Sequence, residues 1–283
     1  MGNDLGLGAF GVWTFDFEDH PAALVRDSVQ ELEELGWPAV WVPEVGGREA
    51  FSLAGYLLAV TERMSVVNGI AQITAREAAA ARGGGVLLAD AYPGRHVLGL
   101  GLGAGRPGVK PLTAVAEYLD AFDGAEEVRR VLAAYGPKML ELARDRTSGA
   151  HTYKVNVAHT VQAREILGPD AFLGVEHAVL LETDPDRART VAREHLVPYL
   201  STPYNLAKFR RLGYTEDDLT GGGSDRFVDD MVFWGDLDTV VDRLRTQQEA
   251  GADHVGVQVI GVRAGETAMP QWRALAEALS PGV

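Results

Sequence analysis

Residues 126–135 read EEVRRVLAAY, and whether their second half is helix or strand decides the fold. Helix propensity is good throughout. Helical patterns flank the segment at 112–122 and 138–146, however, and without a strand near 131–134 those helices would have no sheet element between them. We therefore assign 131–134 to a strand, which makes the alternation of strand and helix continuous through the middle of the chain.

Toward the N-terminus, 5–13 is apolar and glycine-spaced like a buried strand, and the helical pattern at 21–35 is closed by Gly36. A strand at 39–44 (AVWVPE), a helix at 51–60, a strand at 64–73, an alanine-rich helix at 75–91 and a strand at 96–101 follow, the last entered through the turn Tyr92-Pro93-Gly94-Arg95. Toward the C-terminus come a strand at 150–155, a helix at 159–167 and a long apolar strand at 172–181. Asp184-Pro185, an N-cap followed by proline at the first helical position, opens a helix to about residue 200. Polar residues 203–230, with the Gly221-Gly222-Gly223 hinge, precede a helix at 236–250, a strand at 254–260 and a last helix at 270–279. Eight strands, each followed by a helix, predict an α/β fold of the (β/α)8 TIM-barrel type. It spans 1–283 as one domain, with a helical insertion at about 185–232 after the seventh strand. An open doubly wound sheet is the alternative.

The chain has 283 residues, 46% hydrophobic and 23% charged, an ordinary globular balance. It lacks cysteine, which excludes a disulfide scaffold, a Cys-ligated zinc or iron–sulfur centre and thiol catalysis. Lys and Arg number 26 against 40 Asp and Glu, and the resulting charge of −14 disfavours nucleic acid and anionic membranes. No apolar run of about 18 residues occurs, and no basic-then-apolar leader precedes Trp13, so a soluble cytoplasmic protein is expected. H-E-x-x-H, G-x-S-x-G and His–carboxylate clusters at metal spacing are all missing, which argues against a metal site and against a hydrolase.

Barrel chemistry sits at the C-terminal strand ends, here Trp13, Glu44, 69–72, 101–106, 135–139, 151–156 and 260–263. The run GLGLGAGRPG at 99–108 is not a dinucleotide fingerprint, because Pro107-Gly108 interrupts the helix that should begin at the phosphates. Nor is it a P-loop, since Val109 stands where lysine is required. Two readings remain: small residues for close packing, and the favoured one, backbone N–H groups approaching a planar or phosphorylated cofactor near Arg106 and Lys110. Gly136-Pro137 opens a helix whose first turn suits an anion, with Lys138 adding charge.

The ordered set E-L-G-W-x-x-V-W-V-P-E (34–44), N-G-I-A-Q (68–72), P-G-R-H-V-L-G-L-G-L-G (93–103), G-P-K-M-L-E-L-A (136–143), G-A-H-T-Y (149–153) and G-A-D-H-V (251–255) resembles the luciferase-like superfamily. The set is most similar to its deazaflavin-dependent oxidoreductases of actinobacterial type, which use coenzyme F420. That resemblance implies a (β/α)8 barrel, usually a homodimer, with a flavin-like cofactor at the C-terminal mouth and a non-proline cis peptide at Gly69-Ile70. It implies that Gln72 contacts the ring edge, that Leu102 and Gly103 lie beside the ring, and that Arg106 faces the cofactor tail. Tyr135, Gly136, Lys138 and Met139 would hold the tail phosphate. Val45 and Ala104 replace the histidine and the acid of the family's sugar-phosphate dehydrogenases, which excludes that activity.

The implied reaction is hydride transfer between F420 and a small organic substrate. Glu44, against an apolar wall of Trp13, Trp41 and Val45, is a candidate acid or base, or else the partner of Arg48 or Arg76. His151 and Tyr153 are further candidates for proton transfer or substrate binding, and Trp13, Val45 and Tyr153 for excluding water. The alternatives are an FMN-dependent monooxygenase of the same superfamily, a non-catalytic flavin-binding protein, and a phosphosugar barrel resting on Gly261 and Gly265.

Overall fold

The computed structural model describes residues 5–103, 108–263 and 265–279. Eight parallel strands close a barrel: β1 Phe10–Trp13, β2 Ala39–Val42, β3 Ser65–Asn68, β4 His96–Gly101, β5 Arg130–Ala133, β6 Gly149–Thr152, β7 Phe172–Leu181 and β8 His254–Val259. Each pairs with the next, and β8 pairs with both β7 and β1, which completes the ring. The segment in doubt is a strand at Arg130–Ala133, in register with β4 and β6. Strand alternation divides the core in two. Val12, Val40, Val42, Val66, Leu98 and Leu132 point outward to the helices. Trp13, Ala39, Trp41, Val67, Val97, Val131 and Phe172 fill the interior. Of the apolar stretch at 5–13 only the last four residues are strand, while Leu5 and Leu7 join the interior cluster.

Several helices begin where a side chain satisfies their first N–H groups. Glu49 accepts from Phe51 and Ser52 at the head of Ala50–Val60, Asn156 from His159 at Val157–Leu167, and Asp184 from Arg187 at Pro185–Leu200. The helix Ala78–Ala91 buries Ala81, Gly85 and Leu88 and leaves Gly83 exposed, with no atom within 4 Å of a Cβ there. Gly83→Ala should therefore stabilise the protein by about 0.5–1 kcal/mol, by helix propensity alone. A urea midpoint that falls instead would show that the open space is filled in solution.

Between β7 and β8 lie the helices Pro185–Leu200, Pro203–Arg211, Glu216–Leu219 and Asp225–Met231. They carry a core of their own, with Phe209, Tyr214, Phe227 and Met231 around Leu180. A strand not anticipated from the sequence, Val232–Gly235, then pairs with Ala178–Leu181 on the upper edge of β7 before the helix Leu237–Glu249. The short segment Ala71–Gln72 likewise continues β3 against β4. Among the described residues, no helix is long and apolar enough to cross a membrane, and no group of three or more His, Asp or Glu could hold a metal ion.

Candidate active site

The barrel interior is layered. In the lower layer His151 stacks on Trp41 at 4.4 Å. The Trp41 indole N–H donates to His254 Nε2 at 2.9 Å, so His254 carries its proton on Nδ1 and gives it to the Gly8 carbonyl at 2.7 Å. Burial holds the pKa of His151 down to about 3 and that of His254 to about 4, and both rings are neutral. His151 is 2% exposed. The expectation of a catalytic His151 is corrected on this point: alternation along β6 sets it one layer below Tyr153, where it packs.

The upper layer faces the C-terminal mouth. Trp13 meets the edge of Phe15 at 4.7 Å and the ring of Tyr153 at 5.1 Å. The Gly69–Ile70 bond is cis, at the position the resemblance implied. Both residues are half-exposed, and Ile70 lays its side chain across Gly99 and Gly101. A methyl at Gly101 would come 2.5 Å from Ile70 Cδ1 and 2.8 Å from Ala133 Cβ. The Trp13 Nε1 is buried without a hydrogen-bond partner, 3.0 Å from where a Cβ at Gly69 would begin. Leu102 packs against the core, and the exposed Gly103, at φ 64°, borders the Gln72 side chain.

Glu44 is fully engaged. Its carboxylate pairs with Arg76 and accepts the Ala50 N–H at 3.2 Å and the Gln72 N–H at 2.8 Å. Gln72 Nε2 in turn donates to the Glu44 carbonyl at 2.5 Å, and Arg76 also holds Glu49 at 3.0 Å. The proposed apolar wall is not there, because Trp41 is enclosed in the lower layer and Val45 is 65% exposed. Of the two roles foreseen for Glu44, the structure selects the ion pair with Arg76, which ties the loop after β2 to the continuation of β3. Arg48 donates instead to the His20 carbonyl. Val45 also drops out as a residue that could keep water away.

In the loop after β5, Tyr135 meets the edge of Tyr204 at 5.9 Å, and its hydroxyl accepts from Arg211 at 3.4 Å. Its carbonyl bonds His159 Nε2 at 2.7 Å. Gly136 caps the helix Pro137–Arg146. Pro137 has no N–H, and the N–H groups of Met139 and Leu140 return to the Gly136 carbonyl at 3.0 Å. That leaves Lys138 to offer both a backbone N–H of the first turn and an ammonium, so the anion site expected of Met139 narrows to its neighbour. Lys138 and Arg211 are exposed, and no carboxylate of the described residues lies within 4 Å of either. Arg106 lies outside the described residues.

A cluster that sequence reasoning missed closes the β6–β8 side of the mouth. Lys154, wholly buried and at φ 52°, donates from Nζ to Glu176 Oε1 and to Gln258 Oε1, each at 2.9 Å, while its own N–H donates to Glu176 Oε2 at 3.1 Å. The ammonium also lies 4.7 Å from the centre of the Tyr153 ring and 5.6 Å from that of Tyr199. The Tyr153 and Tyr199 hydroxyls are 2.6 Å apart. Burial raises both phenols, Tyr199 to about 12. From the insertion, Lys208 donates to the Tyr153 carbonyl at 3.1 Å. One signal was present in the sequence: Glu176, followed by His177, interrupts a largely apolar strand, and an acid buried in a barrel wall requires a partner.

Residues 9–131 match the family described as luciferase-like monooxygenase. No curated protein matches the sequence. Among solved structures, the fold is similar to an F420-dependent secondary alcohol dehydrogenase in complex with an F420-acetone adduct (TM-score 0.75, 13% identity, 98% of this chain and 99% of that chain). It is also similar to the coenzyme F420-dependent tetrahydromethanopterin reductase from Methanopyrus kandleri (TM-score 0.77, 15% identity, 97% and 99%). A third is the type II Baeyer–Villiger monooxygenase, the oxygenating constituent of 3,6-diketocamphane monooxygenase from the CAM plasmid of Pseudomonas putida, in complex with FMN (TM-score 0.68, 14% identity, 98% and 98%). The match over residues 9–131 and the TIM-barrel fold shared with these structures agree with the luciferase-like superfamily that the sequence resembles.

Proposed function

We propose that this protein is an F420-dependent oxidoreductase that moves a hydride between the deazaflavin and a small organic substrate at the C-terminal mouth of the barrel. The observation that carries the reading is the bed formed by Gly69, Ile70, Gly101 and Gly103. There Ile70 folds down over glycines, and the half-exposed chain beside it suits a flat ring. The buried, unpartnered Trp13 Nε1 next to Gly69 fits a polar ring edge at the same place. Bound there, the deazaflavin supplies a ring carbon that accepts or donates hydride. Trp13 and Tyr153 pack together beside the bed and would keep water from it, and Gln72 is held by Glu44 at its border.

Two cations support the deazaflavin over FMN. In a chain with 40 acidic against 26 basic residues, Arg211 stands by Tyr135 and Lys138 follows it in the same loop, neither with a carboxylate partner among the described residues. Such a basic track suits the longer, polyanionic tail of F420. Fluorescence titrations against F420 and FMN in parallel test this. Tight F420 binding with weak FMN binding is the expected result, whereas preference for FMN would move the reading to a monooxygenase. Lys138→Ala should weaken F420 by about 1–3 kcal/mol, the loss of a charged hydrogen bond, and unchanged affinity would remove Lys138 from the tail site.

A further inference from the structure

The β6–β8 side of the mouth encloses a cluster with two lysines, Lys154 and Lys208, and the carboxylate of Glu176. Glu176 is committed to Lys154 through both oxygens, one on Nζ and one on the backbone N–H. Lys208, 4% exposed, reaches down from the helix Pro203–Arg211, and its ammonium donates to a carbonyl, that of Tyr153. Among the described residues no carboxylate lies within 4 Å of it. An enclosed ammonium without a counterion is costly, and a methionine of similar length would fill the same space without that cost. At the far end of Tyr153 its hydroxyl shares one hydrogen with that of Tyr199 across 2.6 Å.

We infer that Lys208 is the seat of a carboxylate on the substrate, and that the substrates are small organic acids. This rests on the oxidoreductase reading, which places the substrate against the Trp13–Tyr153 wall. The charge count agrees: a seated carboxylate brings the enclosed group of two ammoniums and one carboxylate to neutrality. Burial, with Lys154 close by, holds the Lys208 pKa to about 7, and an anion beside it would raise that value again.

The test is a calorimetric titration of the full chain with benzoate and with its neutral isostere benzamide, in the presence and absence of F420. Benzoate should bind at least about tenfold more tightly than benzamide, and Lys208→Met should erase that preference while leaving F420 affinity unchanged. Equal affinity for the two ligands in the wild-type protein would overturn the inference without any variant. So would a K208M protein that keeps the preference. Displacement of benzoate by F420 would overturn it too, by giving the seat to the cofactor's own tail. Selective benzoate binding by a protein that does not bind F420 would support the anion seat and remove the oxidoreductase reading.

Discussion

Replacing Glu176 by glutamine should destabilise the fold by about 3–5 kcal/mol, the penalty for stranding one member of a buried ion pair. The amide keeps the shape and can still accept a hydrogen bond from Lys154 Nζ, 2.9 Å away in the native protein. It carries no charge, however, and both side chains of the pair are 0% exposed. With Lys208 enclosed nearby, the variant would hold two buried ammoniums and no carboxylate within the β6–β8 cluster. The urea midpoint should fall accordingly, and the double variant Lys154→Met with Glu176→Leu should recover most of the loss, because it removes both charges. A single variant with the wild-type midpoint would mean that water reaches the pair.

Gly99→Ala should be comparably damaging, about 3 kcal/mol or more, for a reason of shape. The added methyl would land on the Asn68 carbonyl oxygen at the end of β3 and approach Ile70 Cγ2 to 3.5 Å. Asn68 cannot step aside, because its side chain donates to the Ala50 carbonyl at 3.1 Å and meets His96 Nε2 at 2.9 Å. The expected outcome is a lower denaturation midpoint together with weaker F420 binding, since Ile70 rests on this glycine. Intact cofactor affinity in a destabilised variant would separate the bed from the barrel wall.

These two substitutions mark what could and could not be read from the sequence. The strands were legible because burial on both faces leaves continuous apolar runs, and the strand hidden in EEVRRVLAAY followed from the need for a sheet element between two helices. Val232–Gly235 was not legible, since four residues between a polar segment and a helix carry no period. At the site, the cis peptide at Gly69-Ile70 was foreseen only through the resemblance that N-G-I-A-Q helps to carry. His151 and Glu44 misled for opposite reasons. Position along a strand does not reveal which layer a side chain occupies, and a carboxylate at a strand end looks the same whether or not an arginine 32 residues away has claimed it. Lys154, Glu176, Gln258, Tyr199 and Lys208 come from three strand ends and the insertion, so their convergence is a property of the closed ring and of no single segment.

The length of β7 has a mechanical meaning. At ten residues it runs past the rim of the barrel, and the strand Val232–Gly235 is bonded to that protruding end. The insertion is thus clamped at both of its roots to one stiff mast, and it cannot tilt away from the mouth as a rigid flap without tearing that ladder. The two helices between the roots, which carry Tyr199 and Lys208, are held over the mouth by that same ladder and by the tyrosine pair.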